Sequence, residues 1–310
     1  MRHLPSLLLF LSLILSFSAC EDDEDVNYVV ADVPVDVPGL NYTLDEAQSF
    51  SIVYNALTAK LRANPAIGVV EEVDHQQNAQ NINAELPATR VVLFGNPTLG
   101  TPLMQANQRA GIDLPQKMLV YINNDGQTVT AYNNTAYLGQ RHGVDSVTTL
   151  SQISTALQGL ATDGGATTLV PAAENTVTAD EGLIEIDSEL TFDETYNKLL
   201  ELLNRNPNLS IITIFNHQAN AASVNLELRP TRLLVFGNPN LGTPLIQDRR
   251  TMGIDLPQKM LIYEDADGTT KVLYNDIAYL VRRHGVTAGA EQITQITAAL
   301  ANIAQTITRN

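Results

Sequence analysis

Four histidines of this chain occupy two equivalent positions in a sequence that repeats itself. His75 and His217 each follow an apolar segment typical of a strand, and His142 and His284 each stand immediately before a glycine. An imidazole titrates near neutral pH, so it can act as a general acid, a general base or a metal ligand. Structural roles are also available: hydrogen-bonded packing at a strand end for the first pair, and a favourable charge at a helix C-terminus for the second.

A carboxylate and an ammonium flank the same Leu-Pro dipeptide in both copies of the repeat. Asp113 and Lys117 do so in the first copy, and Asp255 and Lys259 do so in the second. A partly buried pair within each copy would have shifted pKa values, as active-site residues do and as structural ion pairs also do. Both interpretations stay open at this point.

Catalysis by these residues is the alternative to a non-catalytic function. Two histidines with a carboxylate from Asp113 or Asp255 would suit a transition metal. The sequence has no local motif such as His-x-x-x-His and only one cysteine, Cys20, so no metal is assigned. It also has no Gly-x-Ser-x-Gly nucleophile elbow. The alternative is therefore a small-molecule or metal-dependent enzyme that uses His75 and His217 with the two carboxylates.

The segment Gly95-Asn96-Pro97 joins a buried strand to a helix, and Asn238 stands at the equivalent place in the second copy. Such a loop could bind an anion or a small ligand at the helix N-terminus, although it lacks the Gly-Lys-Ser/Thr ending of a P-loop. A turn, with Thr101 as N-cap and Pro102 at the first helical position, explains the sequence without a ligand. We expect Gly111 to end this helix.

The elements that must position these residues occur twice, at an offset of 142 residues. Between 90–144 and 232–286, 33 of 55 positions are identical. A period this long exceeds that of a solenoid unit, so each copy should bury its own core. We place the first repeat domain at 39–162, a linker at 163–180 and the second repeat domain at 181–308.

Each repeat is predicted to run β-α-β-(short α)-β-α-β-β-α-α. A helix over Phe50–Ala63 should stop at Asn64-Pro65, because the residue before proline avoids the helical region. Asp125-Gly126 predicts a tight hairpin between two strands. Strands paired in this way, with helices between them, favour an α+β fold in which a small, mainly antiparallel sheet packs with helices.

The N-terminus carries the features of an exported protein. Residues 1–20 combine a basic start, an apolar run and small residues before Cys20, which predicts a signal peptide. The last four of these residues resemble a bacterial lipobox, which implies lipidation of Cys20. The acidic run at 21–25 opens a tether over 21–38 and resembles a surface-export signal of Bacteroidetes lipoproteins. We therefore expect the protein to be anchored by a lipid in a bacterial membrane of the cell envelope. The surface of the outer membrane is one location that fits this expectation.

Composition excludes some classes of partner. The formal net charge is −16, which argues against nucleic acid, because phosphate binding needs clustered Lys and Arg. A single cysteine also rules out a disulfide within the chain.

Several motifs recur in register in both copies. In the first copy they are Asp74-His75-Gln76, Phe94-Gly95-Asn96-Pro97, Gly100-Thr101-Pro102-Leu103, Gly111-Ile112-Asp113-Leu114-Pro115 and Arg141-His142-Gly143. Together they resemble the domain of unknown function 302 family over nearly all of both copies. The resemblance implies a fold similar in outline to the TATA-binding-protein-like β-α-β4-α arrangement. It implies no activity, since that family has no established one.

The sequence as a whole favours a binding or scaffold module at the cell envelope. We expect the two repeats to pack as an internal pseudo-dimer and the partner to be a small ligand or an envelope protein. A ligand would lie in a cleft bordered by the His75 and His217 segments and the two Gly-Asn-Pro loops. No cofactor can be named from the sequence.

Overall fold

The computed structural model describes residues 37–162, 169–172 and 177–310. The predicted signal peptide, Cys20 and the acidic run lie outside these residues, as do 163–168 and 173–176 of the predicted linker. No helix within the described ranges combines the length and apolar character needed to cross a bilayer.

The first repeat supplies one sheet and its helices. Its strands are β1 (Leu40–Asp45), β2 (Gly68–Asp74), β3 (Thr89–Gly95), β4 (Gln116–Ile122) and β5 (Thr128–Asn133). Its helices are α1 (Phe50–Ala63), α2 (His75–Gln80), α3 (Pro97–Ala106), α4 (Thr135–His142) and α5 (Thr149–Thr162), with a 3-10 helix at Gln108–Ile112. A short strand, β6 (Leu169–Val170), lies inside the predicted linker and pairs with β1.

The second repeat follows the same order of elements. Its strands are β7 (Leu183–Asp187), β8 (Ser210–Asn216), β9 (Thr231–Gly237), β10 (Gln258–Glu264) and β11 (Thr270–Asn275). Its helices are α6 (Phe192–Arg205), α7 (His217–Ser223), α8 (Pro239–Asp248), α9 (Ile277–His284) and α10 (Ala290–Ile307), with a 3-10 helix at Arg250–Ile254.

The strand order is β2-β3-β4-β5-β1-β6 in one sheet and β8-β9-β10-β11-β7 in the other. Each neighbouring pair is antiparallel. The α+β class and the predicted order of elements in each repeat are therefore confirmed, including the hairpins at Asp125-Gly126 and Asp267-Gly268.

The central strands of each sheet are buried on both faces, and this explains their unbroken apolar runs. Successive side chains of a strand point to opposite faces. Val92 and Phe94 of β3 accordingly share a core with α1 and α5. Val91 and Leu93, which alternate with them, belong to a core that the first repeat shares with the second, for example with Leu233. The expectation that each copy buries its own core is thus only half right.

The helix that follows β3 starts one motif earlier than predicted. Asn96 is its N-cap and accepts a hydrogen bond from the Thr98 backbone at 3.0 Å, and Pro97 takes the first helical position. Both Asn96-Pro97 and Thr101-Pro102 could supply an N-cap followed by proline at the first helical position, and the helix begins at the first of them. The predicted cap at Thr101 is therefore wrong, and Pro102 lies inside the helix.

Gly111 also has a different role from the predicted helix end. It lies in the 3-10 helix, whereas α3 is capped by Asn107. A Cβ atom on Gly111 would stand 3.2 Å from Leu261 of the second repeat, and one on Gly253 would stand 3.0 Å from Leu119 of the first. These glycines therefore allow the two repeats to approach closely.

Candidate functional site

A buried ionic cluster is built around Asp113, the residue that follows the first 3-10 helix. Arg141 Nη1 donates to Asp113 Oδ2 at 2.6 Å, and His142 Nε2 donates to the same oxygen at 2.9 Å. Lys259 of the second repeat lies 3.3 Å from Oδ1. The last turn of α4 and the first residues of β10 position these three donors.

The second repeat builds the same cluster around Asp255. Arg283 Nη1 and His284 Nε2 donate to Oδ2 at 2.6 and 3.0 Å, and Lys117 of the first repeat lies 3.3 Å from Oδ1. The lysines are therefore exchanged between repeats. The pairing expected within each repeat, Asp113 with Lys117 and Asp255 with Lys259, is wrong. The sequence offers each carboxylate two equivalent lysines, one in each repeat, and only the packing of the repeats decides between them.

The two arginines bind across the interface as well. Arg141 Nη2 donates to Asn275 Oδ1 at 2.8 Å, and Arg283 Nη2 donates to Asn133 Oδ1 at 2.7 Å. The Arg283 guanidinium also lies over the Tyr137 ring, 4.1 Å from its centroid. Sequence reasoning missed these residues as functional candidates. The recurrence of these residues in both copies could have pointed to them. However, the position of an arginine in a helix does not show whether its side chain is buried or exposed.

The charges of the clusters shift the pKa values of their members. Burial alone would raise the pKa of Asp113, but Arg141 and Lys259 outweigh it and hold that pKa well below its usual range. Burial and the neighbouring Lys117 ammonium together lower the pKa of Lys259 to about 7, against the attraction of the carboxylates. Burial also lowers the pKa of His142, which is therefore neutral at pH 7. The clusters are held by ionised carboxylates and neutral imidazoles.

These clusters lie away from solvent. The side chains of Asp113, Arg141 and His142 are fully buried, as are those of Asp255, Arg283 and His284. A buried ion pair adds little net stability, because desolvation offsets the attraction, but its geometry can enforce one register of association. The arrangement is therefore suited to fixing how the two repeats dock.

His75 and His217 contact backbone of the opposite repeat and contribute to neither cluster. His75 Nε2 donates to the Gly253 carbonyl at 3.0 Å, and His217 Nε2 donates to the Gly111 carbonyl at 3.1 Å. Since a carbonyl oxygen can only accept, Nε2 carries the proton in both rings. Burial lowers the pKa of each imidazole to about 4. The carboxylates proposed to work with these histidines instead contact His142 and His284.

The metal arrangement considered from the sequence is not assembled. Among the described residues, no group of three or more His, Cys, Asp or Glu side chains is placed to hold a metal ion. Each carboxylate receives one imidazole, and the remaining donors around it are cationic Arg and Lys groups that repel a metal.

The Gly-Asn-Pro loops and His75 or His217 do border cavities, but as two sites rather than one cleft. The larger of these two, called the large cavity below, has a volume of about 560 Å³ and joins the first repeat's Asn96 loop and α5 to α7 of the second repeat. The small cavity, of about 130 Å³, joins the Asn238 loop and α10 to His75. Each predicted loop is thus brought to the histidine of the opposite repeat.

Apolar side chains dominate the wall of the large cavity. They come from the first repeat and from the end of β8, and they are Ile67, Val70, Phe94, Leu99, Met104, Leu114, Ile153, Leu157, Leu160 and Phe215. His217, Asn220 and Ser223 add a polar strip from the second repeat. The two repeats together therefore build a concave, mostly apolar site with a few polar groups, as small-molecule sites commonly are.

Comparison with known proteins gives three kinds of match. Over 107 residues the chain is 37% identical to the "Fluoride-specific ion channel FluC 1" of Brucella suis biovar 1 (strain 1330), covering 34% of this chain and 42% of that protein. It is equally identical to the protein of the same name from Brucella abortus biovar 1 (strain 9-941), covering 39% of it. The chain thus spans about two fifths of the length of these curated relatives.

A solved structure also matches, the uncharacterized conserved protein DUF302 from Bacillus stearothermophilus. The identity is 22% and the TM-score is 0.37, over 41% of this chain and 98% of that one. The family model described as "Domain of unknown function DUF302" matches residues 41–160 and again residues 184–304. The two matched stretches take up most of the chain and coincide with its two repeats, so this protein belongs to the DUF302 family as a tandem of two such domains.

Proposed function

We propose that this protein is a non-catalytic binding module of the cell envelope that holds a small apolar molecule in the large cavity. The observation that carries the proposal is the cavity itself, which forms only where α7 of the second repeat meets the Asn96 loop and α5 of the first. The neutral, hydrogen-bonded His217 and the fully buried carboxylate clusters support a binding role over catalysis.

The size and lining of the cavity set the kind of molecule that fits. An apolar cavity of about 150 Å³ is large enough for benzene, and this cavity has about 560 Å³. Burying apolar ligand surface stabilises a complex by roughly 25 cal/mol per Å² before the costs of association. A ligand with a flexible alkyl chain or a fused ring system would therefore fit the cavity, and burial of its apolar surface would favour binding.

Blocking the cavity mouth should weaken ligand binding. Ala156 lies exposed on α5 at the edge of the large cavity, and Ala299 occupies the equivalent place beside the small one. We expect Ala156→Trp to weaken binding of the neutral dye N-phenyl-1-naphthylamine by about tenfold or more, because the indole fills the entrance. Fluorescence titration measures this.

Ala299→Trp is the matched control and should leave dye affinity unchanged. Equal weakening by both variants, or by neither, would place the dye elsewhere. No dye binding to the unaltered protein would remove the proposed function.

The envelope location is proposed from the N-terminal sequence. Cys20 follows an apolar run and precedes an acidic tether, which would hold the repeats close to a membrane surface through a lipid chain. Replacement of Cys20 by serine should move the protein from the membrane fraction to the soluble fraction on ultracentrifugation. Retention of the Cys20→Ser protein in the membrane fraction would contradict lipid anchoring. An integral membrane protein serves as the control for fractionation.

A further inference from the structure

We infer that the molecule held in the large cavity is uncharged and carries a carbonyl group. The inference rests on the proposed function and adds the chemical class of the ligand. Two features support it independently: no charged residue is among the described residues that line the cavity, and two of those lining residues carry a buried polar atom without a partner in the described part of the chain.

The wall provides no group that could neutralise an ionised ligand. Among the described residues that line the large cavity, none is Lys, Arg, Asp or Glu. The titratable group there is the His217 imidazole, which is buried and already donates to Gly111. An ion buried without a partner loses its hydration with little in return, so a carboxylate or an ammonium would bind poorly.

The N-terminus of α3 borders the same cavity but does not offer an anion site. Pro97 has no N–H, and the Thr98 N–H already donates to Asn96 Oδ1. The N–H groups of Leu99 and Gly100 both donate to the Asn96 carbonyl, at 3.0 and 2.9 Å. The donors that a helix N-terminus usually presents to an anion are therefore absent or occupied.

Two residues that line the cavity each carry a buried polar atom without a hydrogen-bond partner among the described residues. These atoms are Thr101 Oγ1 and Gln116 Nε2. Thr101 as a whole is only 1% exposed. The Gln116 amide nitrogen can only donate, and the Thr101 hydroxyl can also donate.

A buried donor without an acceptor is costly, and a ligand oxygen that accepts from it removes that cost. A neutral carbonyl oxygen has two lone pairs and brings no charge into the cavity. The ligand class that fits both features is an apolar molecule with an amide, ester or ketone group.

Three probes with the same alkyl chain test this inference by displacing N-phenyl-1-naphthylamine from the full-length protein. They are octanamide, octanoate and octylammonium, which are neutral, anionic and cationic at pH 7. We expect octanamide to bind about tenfold more tightly than either ion. Thr101→Val and Gln116→Met should each lower the affinity for octanamide about tenfold, because each variant loses one hydrogen bond to the ligand. The affinity for the dye should stay unchanged.

The second repeat offers matched controls. Thr243→Val and Gln258→Met change the equivalent residues of the small cavity and should leave octanamide affinity as it is. If the dye binds but the three probes displace it equally, the ligand class is wrong and the cavity proposal stands. If the control variants weaken octanamide binding as strongly as Thr101→Val does, Thr101 and Gln116 are not the donors to the ligand carbonyl. Unchanged thermal unfolding confirms that each variant is folded.

Discussion

Replacing Asp113 with asparagine should lower the free energy of unfolding by about 3–5 kcal/mol, as removing one member of a buried ion pair generally does. The substitution keeps the shape of the side chain but removes its charge. Arg141 would keep a buried positive charge with no carboxylate within reach, and Lys259 would lose its partner. Urea titration followed by circular dichroism measures the change.

An exposed ion pair gives the matched control. Glu201 and Arg205 form a surface pair on α6, and Glu201→Gln should cost less than about 0.5 kcal/mol. A loss of similar size for Asp113→Asn would contradict the assignment of the cluster as buried and charged. Asp255→Asn should match Asp113→Asn, because the two clusters are equivalent.

A double-mutant cycle distinguishes the exchanged lysines from pairing within a repeat. Lys259→Met removes one of the cations that Asp113→Asn leaves behind, so the two changes should couple by about 0.5–3 kcal/mol. Lys117→Met removes a partner of the other cluster and should couple less with Asp113→Asn. The reverse order would show that each lysine pairs with the carboxylate of its own repeat.

Acidification from pH 6.5 to pH 4 should remove about 5 kcal/mol of stability through His75 and His217. Burial lowers the pKa of each imidazole to about 4 in the folded protein, whereas an unfolded histidine titrates near 6.5. Each difference of about 2.5 pH units is worth about 3 kcal/mol in full, and most of this is lost between pH 6.5 and pH 4. A loss of this size is comparable with the total stability of an ordinary domain, so the urea midpoint should fall steeply across this pH range.

The direction follows from proton binding. Between pH 4 and pH 6.5 the unfolded chain binds protons at these histidines and the folded protein does not, so stability rises with pH across this window. Burial lowers the pKa values of His142 and His284 too, which adds to the same slope. Below this window the depressed pKa values of Asp113 and Asp255 remove further stability as those carboxylates become protonated.

Two variants separate the histidines from the carboxylates. In His75→Gln and His217→Gln the amide still donates towards the carbonyl of the opposite repeat but does not titrate. The double variant should show a distinctly smaller slope of urea midpoint against pH between 6.5 and 4. If the slope is the same as in the unaltered protein, the imidazoles exchange no protons on unfolding and the prediction fails.

Much of the fold could be predicted from local signals. The bounds of α1 and α6 follow from helical spacing of apolar residues and from an Asn-Pro stop, and both helices end where the sequence indicates. Asn134 and Gly143 likewise cap α4 as a local reading predicts. Where two local signals competed, as at Asn96-Pro97 and Thr101-Pro102, the sequence alone gave no physical ground for choosing.

The sequence singled out residues that lie in the buried clusters, but it did not give their partners. Asp113, Lys117 and His142 were singled out because they recur in both copies, and all three lie in the buried clusters. Asn96 proved to be a helix cap at the edge of the large cavity. The shared core and the cavity between repeats depend on surfaces that are far apart in sequence, and periodicity carries no information about them.

The sequence by itself determined that the chain consists of two equivalent α+β units, because repetition, hydrophobic period, turn residues and caps are local properties. The tertiary structure decided which lysine meets which carboxylate, since Lys117 crosses to Asp255 and Lys259 to Asp113. It also decided that each Gly-Asn-Pro loop faces the histidine of the opposite repeat. The physical reason is that two near-identical repeats offer each residue the same candidate partners in its own copy and in the other copy, and only the packing of one repeat on the other selects between them.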